Sequence, residues 1–460
     1  MDTTGDLLVV RKPDTAYVST MLWLPKALIR VDAVKNSLQY WEVKSRDTVL
    51  TRFWEETETH LIVPREFISP DQYPNFGFPF VDVTPRRFAR SGISDRIAMR
   101  NEEQVKAWEA LSKARGGILN LACGKGKTVL ALKKIAELGV PSLIVVNDGV
   151  QFSHWKGEIE QHLILPPGEE IGRFQGGDDD WKHPITIATI QTLARRAQEG
   201  KIPPEFSSWF GSAWFDEVHH LAAPFFVQSA PLVTGLRFGL TATADRLDQR
   251  QWVYNYHLGG IFYTDLTQPL IPEVRFQETD VIIDEDSREA RDKAGEVNVS
   301  RLRSILGEHP RSLQVREFCM REALDAGRKI LGISHSKQLL INLAARFSDA
   351  ALVISETPDH ERVAMVRASR IAFSIEKLGK ECLSDDALDA LFILTPLSSP
   401  NDLQQMIGRV QREHKNKRPP IVVIFDDINV GRFKGMIIKL KRILKGWKIP
   451  FTVIPVPPNL

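Results

Sequence analysis

Six consecutive residues, Cys123-Gly124-Lys125-Gly126-Lys127-Thr128, combine two glycines, two lysines and a hydroxyl, a set of groups suited to holding phosphate. An apolar run, Gly117-Ile118-Leu119-Asn120-Leu121-Ala122, precedes them. A helical pattern of Val129, Leu130, Leu132, Ile135 and Ala136 follows at once. Strand, glycine turn and helix is the build of a P-loop. Glycines let backbone N–H groups close around phosphates, and the helix N-terminus adds partial positive charge. On this basis Gly124, Lys125, Gly126, Lys127 and Thr128 would bind the phosphates of a nucleotide such as ATP, Lys127 would reach the β- and γ-phosphates, and the Thr128 hydroxyl would hold Mg²⁺. The full pattern asks for glycine five residues before Gly126, where this chain has Leu121. The alternative is a lysine-rich turn ahead of a surface helix.

A second chemical cluster follows an apolar strand at 212–215: Asp216-Glu217-Val218-His219. Acidic residues at the carboxyl edge of such a strand stand where α/β sheets bind ligands. Asp216 would hold Mg²⁺, and Glu217 would orient or deprotonate an attacking water. An acidic strand-to-helix turn with Asp216 as an N-cap is the alternative. Far downstream stands Gln405-Met406-Ile407-Gly408-Arg409-Val410-Gln411-Arg412. Arg409 and Arg412, three apart, share a helix face. They would neutralise charge on a transferring phosphoryl group, or else form a basic surface helix. If they complete the site, ATP sits in a cleft between two domains. Its binding and hydrolysis then close and open that cleft.

The elements that position these groups follow from the texture of the chain. Its 460 residues suggest about three domains. Hydrophobic content of 43% and charged content of 26% are those of an ordinary globular protein. A net charge of +2 confines any nucleic-acid contact to local patches. The three cysteines, Cys123, Cys319 and Cys382, are too far apart in sequence for a CxxC metal pair or a disulfide framework. The acidic start of the chain lacks the basic region of a secretory signal, and no apolar run reaches the roughly 18 residues of a membrane span. An intracellular, non-secreted protein with no membrane contact is expected.

Residues 1–95, with alternating and aromatic-rich stretches and breakers at 69–85, predict a small β-rich or α+β domain. From residue 96 strand and helix alternate, with strands at 117–122, 142–146, 185–189, 212–216 and 236–241. This is the signature of a parallel sheet covered on both faces. The stretch 249–275 is read as a linker or hinge, and 285–327 as charged helix. A second α/β domain carries strands at 329–333, 351–354, 391–394 and 421–425.

With these motifs in order (ACGKGKT, DEVHH, GLTATADRLD, QxxGRVQR), residues 96–430 resemble superfamily 2 helicases of the DExH kind. The group includes phage branch-migration enzymes and the eukaryotic repair and transcription helicase. The resemblance implies an α/β fold of two RecA-like parallel-sheet lobes behind a small N-terminal β-rich or α+β domain. It assigns 1–95 to DNA binding, 96–265 to the ATP-binding lobe 1 and 266–460 to lobe 2. It also implies that Gln104 reads adenine. Ser142–Val146 with His154-Trp155, and Ile187–Leu193 with Thr189 and Thr192, would face the nucleic-acid backbone. Leu240–Thr243 would couple the two sites, and Ser334, within Gly332–Ser336, would touch the strand from lobe 2. The chain departs from the family where an E-G-L-D segment is usual: it has Glu381-Cys382-Leu383-Ser384, then Asp385.

The activity implied is ATP- and Mg²⁺-dependent helicase or translocase action on forked, branched or duplex DNA, tracking a single strand. It would serve replication, recombination or repair beside other proteins of those processes, in the cytoplasm of a bacterial or phage-infected cell. DNA rather than RNA rests on the resemblance alone. Phe225 and Phe226 are read as a core-facing pair, with base stacking as the alternative. The segment from Lys434 to Lys448 is an amphipathic helix with a solvated lysine face, DNA contact being the alternative. Arg86, Arg87, Arg90 and Arg96 either touch duplex phosphates or form a solvated linker. The rival functions are a duplex translocase that separates no strands and a DNA-binding protein with a degenerate ATPase.

Overall fold

The computed structural model describes residues 11–44, 47–84, 88–242, 249–267, 270–376, 378–379, 385, 387–397, 403, 406–408, 410–411, 414, 417–447 and 449–457. The chain divides into two compact units, Met1–Leu266 and Thr267–Leu460.

The first unit is built on seven parallel strands. Their spatial order is Gly172–Phe174, Ile185–Thr189, Ser142–Val146, Ser212–Phe215, Leu236–Thr241, Gly117–Leu121 and Ile261–Asp265. Four of them, Gly117–Leu121, Ser142–Val146, Ile185–Thr189 and Ser212–Phe215, are buried at every position. Continuous apolar strands are what a sheet covered on both faces requires. Alternate side chains feed two cores. Leu119, Ile144 and Trp214 meet Leu130 and Ile135 of helix Lys127–Leu138 and Trp155 of helix Gly149–His162. Ile118, Val145 and Phe215 meet Leu193 of helix Ile190–Gln198 and Val253 of helix Gln251–Leu258.

The N-terminal strands form a mixed sheet in the order Glu55–Glu56, His60–Pro64, Met21–Pro25, Ala16–Val18 and Phe80–Asp82. It shares a core with the parallel sheet's layer: Ala16, Leu22 and Leu61 lie in one cluster with Val218 and Tyr254. Buried arginines add polar ties. Arg237 donates to the carbonyls of Thr20 (2.7 Å) and Val233 (2.8 Å), and Arg65 to those of Thr234 (2.9 Å) and Gly235 (3.0 Å). Burial lowers the pKa of both guanidinium groups, and carbonyl acceptors offset the cost of enclosing them.

The second unit repeats the parallel design. Its strands run Ala350–Val353, Ile371–Ile375, Ile330–Ser334, Ala390–Ile393, Ile421–Asp427, Glu273–Thr279 and Phe451–Ile454. Two sequence expectations are corrected here. The stretch 249–275 holds a helix, Gln251–Leu258, and a strand, Ile261–Asp265, that closes the edge of the first sheet. Its glycines and prolines mark the turns around those elements. Helix within 285–327 is confined to Val299–Glu308 and Pro310–Asp325; the preceding residues turn around Asp284, Ser287 and Asp292, whose side chains cap local N–H groups. Such side-chain bonds compete with helix. The basic helix Gly431–Gly446 buries Phe433, Ile437, Leu440 and Leu444 and leaves Lys434, Ile438, Lys439, Arg442 and Lys445 exposed. No helix among the described residues is long and apolar enough to cross a membrane.

Candidate functional site

The segment Cys123–Gly126 turns sharply between strand Gly117–Leu121 and helix Lys127–Leu138. Gly124 and Gly126 both have φ of +82°, a conformation open to glycine at little cost. A Cβ on Gly126 would come within 2.2 Å of Gln104 Nε2, so the amide of Gln104 lies against the turn. Gln104 Oε1 accepts from the Arg100 N–H (2.8 Å), and Arg100 Nη2 donates to the Gly124 carbonyl (2.8 Å). Residues 100–104 therefore clasp the loop. Leu121 ends the strand without a positive φ, so the glycine missing from the motif is not needed for this backbone. Its carbonyl accepts from Lys127 Nζ (2.9 Å), which places the ammonium over its own loop. Thr128 sits half-buried in the first helical turn. Lys125 is paired with Asp265 (2.6 Å) and Glu103 (2.9 Å). Burial opposes its charge, but these hydrogen bonds and charges outweigh it and raise its pKa.

Asp216 and Glu217 follow strand Ser212–Phe215, which is separated from the P-loop strand by Leu236–Thr241 alone. With neighbouring strands about 4.8 Å apart, the two carboxyl ends lie roughly 10 Å from each other across the same edge. Asp216 Oδ2 accepts from Trp155 Nε1 (2.9 Å), and Oδ1 from the Glu217 N–H (3.0 Å). Desolvation and then the Glu217 charge raise the Asp216 pKa; the Trp155 N–H, Lys127 and His154 pull the other way. Glu217 has a φ of +45°, a strained conformation for a non-glycine residue that aims its side chain from the strand end. Glu217 Oε2 lies 3.4 Å from His219 Nδ1, which is also 3.4 Å from Thr241 Oγ1.

A glycine-lined turn, a lysine, a helical threonine and a half-buried carboxylate suit a magnesium–triphosphate group. Mg²⁺ is usually held by one or two protein oxygens, with phosphate and water completing the shell. Among the described residues no group of three or more His, Cys, Asp or Glu forms a metal cage of its own.

Beside this edge, Thr189 Oγ1 donates to Thr192 Oγ1 (2.9 Å), which accepts from the Gly176 N–H (3.0 Å). Both threonines line an open cleft of about 490 Å³. Phe225 lines it too and is 39% exposed, whereas Phe226 packs on the core, so the expected core-facing pair is split. In the second unit Ser334 is buried at the end of its strand. Its hydroxyl accepts from the Ser336 N–H (2.9 Å) and lies 3.4 Å from Thr395 Oγ1. Asp385 is buried and paired with Lys329 (2.6 Å), at the start of strand Ile330–Ser334 rather than its carboxyl end. Gln405, Arg409, Arg412, Arg86 and Arg87 lie outside the described residues. Leu403, Met406, Ile407 and Val410 around them are buried in the second unit's core. Arg90 and Arg96 are exposed.

Residues 96–246 match the family model described as Type III restriction enzyme, res subunit. The chain is 27% identical over 298 residues to the DNA 3'-5' translocase XPB2 of Sulfurisphaera tokodaii, covering 62% of this chain and 64% of that one. It is 38% identical over 138 residues to the DNA 3'-5' helicase XPB of Mycobacterium tuberculosis, covering 29% of this chain and 25% of that one. Over the residues these matches cover, the chain is similar to superfamily 2 helicases of the DExH kind. It spans less than two thirds of the length of these helicase relatives. Among solved structures, the helicase domain of Pyrococcus furiosus Hef aligns at 13% identity and a TM-score of 0.47, over 74% of this chain and 98% of that one. Two positions differ from their sequence reading: Trp155, expected from the resemblance to face the nucleic-acid backbone, is fully buried with its indole on Asp216, and His219, two residues beyond Glu217, had no assigned role. The doubled histidine of DEVHH was the available signal for the second; nothing local pointed the Trp155 indole at Asp216.

Proposed function

We propose that this chain is an ATP-driven DNA helicase or translocase whose first unit binds and hydrolyses ATP with Mg²⁺. One observation carries it: the glycine turn bearing Lys127 and the Asp216–Glu217 pair stand at the carboxyl edge of a single parallel sheet, one strand apart. Gly124, Lys125, Gly126, Lys127 and Thr128 would surround the phosphates, Lys127 exchanging the Leu121 carbonyl for them. Thr128 and Asp216 would hold Mg²⁺, which when bound neutralises charge on the phosphate oxygens. Glu217 would take a proton from the attacking water, with His219 fixing its carboxylate. Gln104 would hold adenine beside Gly126. Gln405, Arg409 and Arg412 enter on sequence grounds, as groups that offset charge on the transferring phosphoryl.

DNA as the polymer draws support from the relatives, which are named DNA 3'-5' helicases and translocases. The hydroxyls of Thr189, Thr192 and Ser334 are already bonded within the protein. Contact near them would therefore fall to backbone groups and exposed neighbours. We assign 1–95 to DNA binding, 96–265 to the ATP-binding lobe and 266–460 to the second lobe. Forked or branched DNA, processed by unwinding or branch migration during repair, recombination or replication beside other proteins of those processes, is the finer assignment, with the cytoplasm as its place. Duplex translocation without strand separation is the second, favoured specifically by the name of the Sulfurisphaera relative.

The test is ATP hydrolysis with single-stranded, duplex, forked and four-way DNA and RNA controls at one fixed salt concentration. DNA should stimulate hydrolysis, and Lys127→Ala should remove it. A wild type no faster than that variant refutes the assignment. Release of a labelled strand from a fork separates helicase from pure translocase.

A further inference from the structure

The glycine turn carries two lysines in different surroundings. Lys127 Nζ rests on one neutral carbonyl, that of Leu121 (2.9 Å). Lys125 Nζ, two residues earlier, is held by two carboxylates, Asp265 (2.6 Å) and Glu103 (2.9 Å), and its side chain is 10% exposed. At Lys127 a phosphate oxygen can replace a carbonyl and gain a charge pair. At Lys125 it would have to displace two charge-assisted hydrogen bonds and enter beside two carboxylates, whose charge together exceeds that of the ammonium.

The two carboxylates belong to separate elements. Glu103 stands in the first turn of helix Glu102–Lys113, next to Gln104, whose amide lies against Gly126. Asp265 ends strand Ile261–Asp265, and its carbonyl accepts from the Ala122 N–H (2.9 Å) where the turn begins. Arg100 adds its bond to the Gly124 carbonyl (2.8 Å). The turn is thus fastened at residues 122, 124 and 125 to segments distant from it in sequence. Order built into a loop by the protein's own bonds lowers the entropic cost of binding there.

We propose that Lys125 is a positioning residue: its ammonium clamps the phosphate turn to Asp265 and Glu103 and does not hold phosphate. This role rests on the ATP site assigned above and narrows the part of Lys125 in it from ligand to support. Lys125 then serves the nucleotide through the shape of the turn and not through its charge.

Binding of a fluorescent ADP and of a fluorescent, non-hydrolysable ATP analogue, both with Mg²⁺, tests the clamp in the wild type, Lys125→Met, Asp265→Ala and the double variant. A hydrogen bond between charged groups changes an equilibrium roughly 10- to 150-fold, and the share that orders the turn is lost from affinity. Each single variant should bind both nucleotides more weakly by a similar factor, ~10-fold at the low end of that range. The double variant should be no weaker than either single one, because both substitutions remove the same contact. A phosphate-holding Lys125 gives another pattern. Lys125→Met then loses the triphosphate more than the diphosphate, and Asp265→Ala, which removes a competitor for the ammonium, binds at least as well as the wild type. Either result overturns the proposal, as do losses that multiply in the double variant. Unchanged affinities with a lowered melting temperature overturn it too, since they leave the contact a purely structural role. If Asp265→Ala does not fold, the comparison of the two nucleotides in Lys125→Met decides alone. Wild-type hydrolysis that Lys127→Ala abolishes shows that the ATP-site assignment stands even where the clamp fails.

Discussion

Trp155→Phe isolates one hydrogen bond at the centre of the site. Trp155 is fully buried in helix Gly149–His162, and its N–H, 2.9 Å from Asp216 Oδ2, reaches a carboxylate across 61 residues of sequence. Asp216 is already pushed toward its neutral form by desolvation and by Glu217. The indole donor works against this and favours the ionised form, the form that binds Mg²⁺. Phenylalanine keeps most of the apolar contact and removes the donor. A hydrogen bond to a charged group contributes about 1.5–3 kcal/mol, and over that range a tenfold change in equilibrium corresponds to about 1.4 kcal/mol. That loss shifts the ionised–neutral equilibrium of Asp216 roughly 10- to 150-fold toward the neutral form, so half-saturation of ATPase by Mg²⁺ should need a higher concentration in the variant, increasingly so as pH falls.

The pH profile gives a second, independent sign. Loss of a donor to the ionised form raises the Asp216 pKa further. The acid limb of the ATPase profile should then move to higher pH in the variant, with activity failing earlier as pH falls. A purely structural role for Trp155 would lower the melting temperature and leave both the Mg²⁺ dependence and the acid limb in place. That pattern, in a variant that still folds, refutes the link between Trp155 and the metal carboxylate.

Two further perturbations test the scaffold. His257 is buried, its pKa lowered to about 3 by desolvation and by Arg237 and Arg65, against 6.5 unperturbed. The unfolded chain thus binds a proton that the folded one refuses, and stability drops as pH falls from 6.5 toward 3, by about 2 kcal/mol at pH 5. His257→Leu should flatten the dependence of urea-unfolding free energy on pH between 7 and 5 by that amount; parallel curves for the two proteins would remove this histidine from the account. In the second unit Arg316 and Asp427 are both fully buried and paired at 2.9 Å, with Thr279 Oγ1 donating to the same carboxylate (2.6 Å) and Arg316 donating to the Leu394 carbonyl (3.0 Å). Arg316→Met strands a buried charge and should cost about 3–5 kcal/mol, while adding Asp427→Asn should recover part of it; calorimetry showing no recovery would mean that packing around Arg316, rather than charge, sets the loss.

What could be seen in the sequence, and what could not, follows the range of the interactions. The P-loop is legible because its demands are local: glycines at positive φ, an apolar strand before them and an amphipathic helix after. Asp216 is legible for the same reason, as the first polar residue past a buried strand. Strands Ile261–Asp265 and Ile371–Ile375 were not legible. The first is a partly exposed edge strand beside Gly259-Gly260, and the second is a short run whose burial gives no alternation. Phe225 and Phe226 are chemically identical neighbours, and only the turn into Phe226–Leu232 decides which ring meets the core and which meets solvent. Trp155 at Asp216 and Arg316 at Asp427 join residues 61 and 111 positions apart, and no periodicity encodes such a meeting. Both bonds tie a helix to the carboxyl end of a strand in its own sheet, where α/β folds place their chemistry. Local pattern therefore reveals the groups expected to touch phosphate and metal, whereas the partners that set their charge and orientation emerge only when the sheet order is known.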